Sequence, residues 1–135
     1  MELSESQKAI TIMLVDDSVI NHYIVKTIFR KEGFEKEVTC FESAAEALIQ
    51  LDNMTASHLP DVILLDINMP GMNGFDFLEA FDQLSITIKQ KCKVVMLTSS
   101  MSSDDIARAS ANPYVKFYLH KPLTTESISQ LLTLV

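Results

Sequence analysis

Five short apolar runs alternate with five segments of helical periodicity along the whole chain, and this alternation is its strongest constraint. The runs are Ala9–Val15, Glu37–Phe41, Asp61–Asp66, Lys93–Thr98 and Val115–His120. The third and fourth are continuously apolar, as strands covered by helices on both faces should be. Between them, Ile20, Tyr23, Ile24, Thr27 and Ile28 recur at helical spacing and predict one buried stripe. Ala44, Ala47, Leu48 and Leu51 predict a second helix, with Ser43 and Glu46 spaced as a capping box. Phe77, Phe81, Leu84 and Ile88 predict a third. Ile128, Leu131, Leu132 and Val135 predict the last, with Thr124 or Thr125 as its cap. The fourth helix, about 103–110, offers only Ile106, Ala107 and Ala109, so it is expected to be weakly held and mobile.

Strict β-α alternation predicts an α/β domain. Right-handed crossovers place helices on both faces of a five-stranded parallel sheet. The expected architecture is a doubly wound, flavodoxin-like sheet of order 2-1-3-4-5 with five helices. At 135 residues there is room for one domain. Residues 1–9 are expected to be an N-terminal extension and 10–135 the domain.

Charge and composition remove other classes. A net charge of −7 argues against a general nucleic-acid binder and against polybasic attachment to membranes. The apolar runs fall far short of the roughly 20 residues a membrane span needs. The acidic start, Met1-Glu2-Leu3-Ser4-Glu5, does not read as a signal peptide. Cys40 and Cys92 lack a CxxC partner, so no zinc site is expected. A cytoplasmic protein with reduced thiols follows.

In doubly wound sheets, ligands bind beyond the carboxyl ends of the strands. There the chain carries Asp16-Asp17, Asp66, Thr98-Ser99 and His120-Lys121-Pro122, on the first, third, fourth and fifth strands. Asp17 is also placed to cap the first helix. Three carboxylates in one pocket repel and raise each other's pKa values. A hard divalent cation such as Mg²⁺, which favours oxygen ligands, relieves that repulsion. Taken singly, each of these pieces reads as a loop or cap; together they read as a cation site facing a lysine. His22, His58 and His120 do not form a metal set. Gly74 is expected to serve a turn at positive φ.

These residues carry a resemblance. Val15-Asp16-Asp17-Ser18, the run Leu64-Leu65-Asp66-Ile67-Asn68-Met69-Pro70-Gly71-Met72-Asn73-Gly74, Leu97-Thr98-Ser99 and Lys121-Pro122 resemble the receiver domain of two-component response regulators, the CheY-like fold. The resemblance implies that Asp66 accepts a phosphoryl group from a phosphohistidine on a sensor histidine kinase or a histidine phosphotransfer protein. It implies Mg²⁺ held by Asp66, Asp17 and the backbone carbonyl of Asn68, with Asp16 acting through water. Lys121 would pair with a phosphoryl oxygen and Thr98 would hydrogen-bond another. Lys121-Pro122 would be joined by a cis peptide. Tyr118 matches the family's rotating aromatic, and strand alternation sets it opposite Val115, Phe117 and Leu119. The fourth helix, fifth strand and last helix would then signal to a protein target that the sequence does not identify.

Two departures stand out. Ser110-Ala111-Asn112-Pro113-Tyr114 replaces the family's usual Gly-Ala before the fifth strand, and Pro113 stiffens that connection. Ser100 is small and uncharged, and is expected to give no strong acceleration of dephosphorylation. Competing classes fit less well. A dehalogenase-type phosphatase needs an acid where Asn68 stands, and a flavodoxin-like electron carrier needs a phosphate-binding loop where Asp16-Asp17 stands. A degenerate receiver used only for binding would not keep the full set of residues. A stand-alone regulator, a phosphorelay intermediate and a receiver excised from a hybrid kinase or longer regulator remain open.

Overall fold

The computed structural model describes residues 2–99 and 102–135. Strands β1 (Ile12–Val15), β2 (Thr39–Phe41), β3 (Val62–Asp66), β4 (Lys93–Thr98) and β5 (Val115–His120) form one sheet of order β2-β1-β3-β4-β5. All four pairings are parallel. The helices are α1 (Glu5–Lys8), α2 (Val19–Lys31), α3 (Ala44–Asn53), α4 (Gly74–Phe81), α5 (Ile86–Lys91), α6 (Ser103–Ala111) and α7 (Thr125–Leu132), with a 3₁₀ turn at Ala56–His58.

Strand alternation divides the core into two layers. Met13, Val15, Ile63, Leu65, Val94 and Met96 face α3, α4 and α5, where Phe77 and Phe81 are fully buried. Ile12, Leu14, Val62, Leu64, Val95 and Leu97 face α2 and α7.

Several expectations are corrected. Among the described residues, seven helices replace the five expected. The first strand is shorter than predicted, because Ser4 caps α1 through a reciprocal box with Gln7 and Ala9 closes that helix. The second and third strands also begin later, at Thr39 and Val62. The single helix predicted from Phe77 to Ile88 breaks in two. Leu84 N donates to Phe81 O in a tight last turn (3.0 Å), and Ser85 becomes the cap of α5, accepting from Ile88 N. A serine satisfies helix-terminal amides better than it sustains a helix interior. Only half of the expected box forms on α3: Ser43 accepts from Glu46 N. Thr124 caps α7 with Ser127, while Val135 stays exposed.

The stripe predicted for α2 is not the buried one. Asn21, Val25 and Phe29 face the sheet, whereas Ile20, Tyr23 and Ile24 are exposed, Ile20 by 75%. Ser18, not Asp17, caps this helix, accepting from Asn21 N. That cap sets the helix phase, and Phe29 locks it edge-to-face on Phe34, 4.9 Å between centroids.

On β5, the register shifts between Val94–Val115 and Val95–Phe117. The extra residue returns Val115 to the side of Tyr118, leaving Phe117 and Leu119 on the other layer. The expectation that Val115 lies opposite Tyr118 is therefore corrected. Gly74 does not have positive φ; Gly33 and Gly71 do. Gly74 is required for space instead: a Cβ there would stand 2.8 Å from the carbonyl oxygen of Asp66. The Lys121–Pro122 peptide is cis, and Cys40 and Cys92 are free thiols.

Candidate functional site at the carboxyl ends of the strands

Register alone assembles the site. Val15 pairs with Leu65, so Asp16 and Asp66 leave adjacent strands side by side. On the other flank Asp66 pairs with Leu97 and Thr98 with His120, which delivers Lys121 one residue later. Lys121 N donates to Thr98 O at 2.8 Å and holds that end together.

The side chains then converge. One carboxylate oxygen from each of Asp16, Asp17 and Asp66 can be chosen so that all lie within 4.8 Å of one another. Asp16 and Asp66 are buried, whereas Asp17 is exposed. Lys121 Nζ lies 2.8 Å from Asp16 Oδ2 and 3.4 Å from Asp66 Oδ1. Asn68 N also donates to Asp66 Oδ1, at 3.4 Å. Among the described residues, both contacts to Asp66 fall on Oδ1.

Burial, and then the charge of Asp16, push Asp66 up to about 6 despite the opposing pull of Lys121 and Asn68 N–H. Burial works against the charge of Lys121, but its hydrogen bond to Asp16 and the two carboxylate charges prevail and raise its pKa. The site holds more negative charge than one ammonium answers. Its donors are hard oxygens, the set that suits a small divalent cation.

Thr98 is fully buried. Tyr118 is half-buried, edge-on to His120 at 5.9 Å. It borders two grooves, one shared with Ala109 and Lys116, the other with Pro122 and Gln130. Ser100 lies outside the described residues. As the sparse apolar content implies, α6 buries only Ala109. Arg108 adds a second anchor, its guanidinium 4.0 Å from the ring centre of Phe75.

Three contacts to Asp16 escaped the sequence reading. Ser18 N donates to Asp16 Oδ1 (2.9 Å), Asn21 Nδ2 to Asp16 Oδ2 (2.6 Å), and His22 Nε2 meets the Asp16 carbonyl oxygen (2.6 Å). The spacing Ser18-x-x-Asn21 held the signal, since the third helical residue reaches back over the cap.

The family model for the response regulator receiver domain matches residues 12–133. A response regulator receiver protein from Dyadobacter fermentans is 34% identical, with a TM-score of 0.83 over 93% of this chain and 96% of that one. A probable methanogenesis regulatory protein, FilR2, from Methanothrix harundinacea is 28% identical over 131 residues, 96% of this chain and 83% of the relative. A protein-glutamate methylesterase/protein-glutamine glutaminase from Photorhabdus laumondii is 34% identical over 90 residues, 67% of this chain but only 23% of the relative. No helix among the described residues is long and apolar enough to cross a membrane. With its parallel 2-1-3-4-5 sheet and acidic strand ends, the chain belongs to the response regulator receiver domain family.

Proposed function

We propose that the chain is a phosphoacceptor switch, taking a phosphoryl group on Asp66 from a phosphohistidine of a histidine kinase or phosphotransfer protein. The observation that carries this reading is the convergence of Asp66 with Asp16, Asp17 and Lys121. A carboxylate is a competent nucleophile for an acyl phosphate. An Asp66 oxygen attacks phosphorus as the P–N bond to the donor imidazole breaks, and the bonding electrons leave with that nitrogen. Oδ2 suits the attack, because the contacts from Lys121 and Asn68 fall on Oδ1. Asp16, Asp17, Asp66 and the Asn68 backbone carbonyl would hold Mg²⁺, with Asp16 reaching it through water. The cation supplies charge neutralisation for the transferring phosphoryl group.

Lys121 pairs with a phosphoryl oxygen as a point charge, and Thr98 donates to another. Drawing Thr98 inward opens space beside β5 for Tyr118, which borders both grooves of the α6–β5–α7 face. The signal passes from that face to a protein target by a population shift. The chain thus acts as a phosphoacceptor rather than a turnover enzyme. Asn68 stands where a phosphatase of the D-x-D type needs its acid. The exposed Val19, Ile20, Tyr23 and Ile24, next along the chain from Asp17 and Ser18, suit contact with the donor protein.

Incubation with acetyl phosphate and Mg²⁺, read by intact mass, tests the reading. One phosphoryl group is expected, lost in Asp66→Ala and on chelation. Unchanged labelling of Asp66→Ala would refute the site, and many turnovers of an aryl phosphate would favour an enzyme.

A further inference from the structure

Asp16 is the most tightly held group of the site. Its carboxylate is fully buried and accepts three hydrogen bonds: Ser18 N on Oδ1, with Asn21 Nδ2 and Lys121 Nζ sharing Oδ2. A carboxylate offers about four acceptor positions, so among the described residues one remains open, on Oδ1. Its backbone is gripped as well. Asp16 N donates to Phe41 O at 3.0 Å. His22 Nε2 must carry its hydrogen, because the Asp16 carbonyl it meets can only accept.

Asn21 is 8% exposed and faces the sheet, the one polar member of a buried row with Val25 and Phe29. A buried amide in an apolar row is costly unless its hydrogen bonds are made. Here the bond goes to the acid that competes with Asp66 for Lys121. We infer that Asn21 is a positioning residue for the cation site. It fixes the Asp16 carboxylate plane so that the remaining Oδ1 position faces the cation, while Oδ2 is shared rather than surrendered to Lys121. Without it, Asp16 is free to turn its full charge toward Lys121, drawing the ammonium away from Asp66.

This inference rests on the cation site proposed above. Calorimetric titration with Mn²⁺, on metal-free protein, separates the two. Asn21→Ala should weaken Mn²⁺ binding about 10-fold or more, the usual size of an outer-shell effect. Its Mg²⁺ dependence of acetyl phosphate labelling should shift to higher metal with the plateau retained. A purely structural role would lower the melting temperature in EDTA and leave the affinity of the folded protein alone. Should the alanine variant not fold, Asn21→Ser keeps a donor on a shorter arm, and its Mn²⁺ binding should still weaken by more than about two-fold. Wild-type binding with either folded variant within about two-fold of it would overturn the role of Asn21 alone. No binding by wild type would overturn the cation site and this inference with it.

Discussion

Strand β3 has an aspartate–lysine pair at each end, and the two behave in opposite ways. At the amino end Asp61 is met by Lys91 and by both the backbone N–H and the hydroxyl of Thr11. Burial pushes its pKa up, but these contacts outweigh it and hold it below the usual value. At the carboxyl end Asp66 shares one lysine with Asp16 and is pushed up to about 6. Five residues apart along the chain, the same side chain is a fastening in one place and the proposed phosphoacceptor in the other. Deeper burial at Asp66, then its neighbouring carboxylate and its smaller set of donors, make the difference.

The sharpest break of that comparison is chemical. Asp66→Asn should abolish phosphoryl uptake from acetyl phosphate, whereas Asp61→Asn should leave it intact by mass spectrometry. Next in size is stability. Asp66 has a folded pKa of about 6 against a reference of 3.8. In that window the folded state holds more protons, so metal-free stability should fall as pH rises from 3.8 towards about 6. Asp66→Asn should remove that slope and gain about 1–3 kcal/mol at pH 7 in urea unfolding with EDTA present.

Asp61 has the opposite sign. Its contribution is complete above the reference 3.8 and is lost as pH falls through its lower folded value. Asp61→Asn should cost about 1 kcal/mol at pH 7, modest because the pair is partly solvated, and less near pH 3. Smallest is the outer anchor of α6. Arg108→Ala should cost about 0.5 kcal/mol in the same assay, the scale of a surface cation–π contact. It should also increase hydrogen exchange in α6.

Reading the sequence recovers the strand order and brings Asp16, Asp17, Asp66, Thr98 and Lys121 to one edge, because the alternation of short apolar runs with helical segments and the handedness of crossovers decide both. It fails where a local polar contact outvotes periodicity. On α2, Ile20, Tyr23 and Ile24 make the better apolar stripe, yet the cap at Ser18 and the bond from Asn21 to Asp16 turn the helix by about one position. At Ser85 a hydroxyl ends a helix whose apolar rhythm continues. On β5 one inserted residue reverses the faces for Val115, which alternation alone cannot register. Pro113-Tyr114 replaces small residues without loosening the corner: Tyr114 packs edge-on to Phe81 at 5.3 Å and donates to Asp82.

The crowding at Gly74 has a consequence for how damage to this protein would look. A single added methyl there presses on the main chain of Asp66 and Ile67 and on the Met96 side chain. The end of the Met96 side chain can yield, but the buried main chain of Asp66 and Ile67 has nowhere to go without moving the site. A screen for silent switches should therefore recover Gly74→Ala beside the aspartate substitutions, although it alters no charge and no hydrogen-bonding group. In such a screen a loss of hydrogen-sized space would be mistaken for a loss of chemistry.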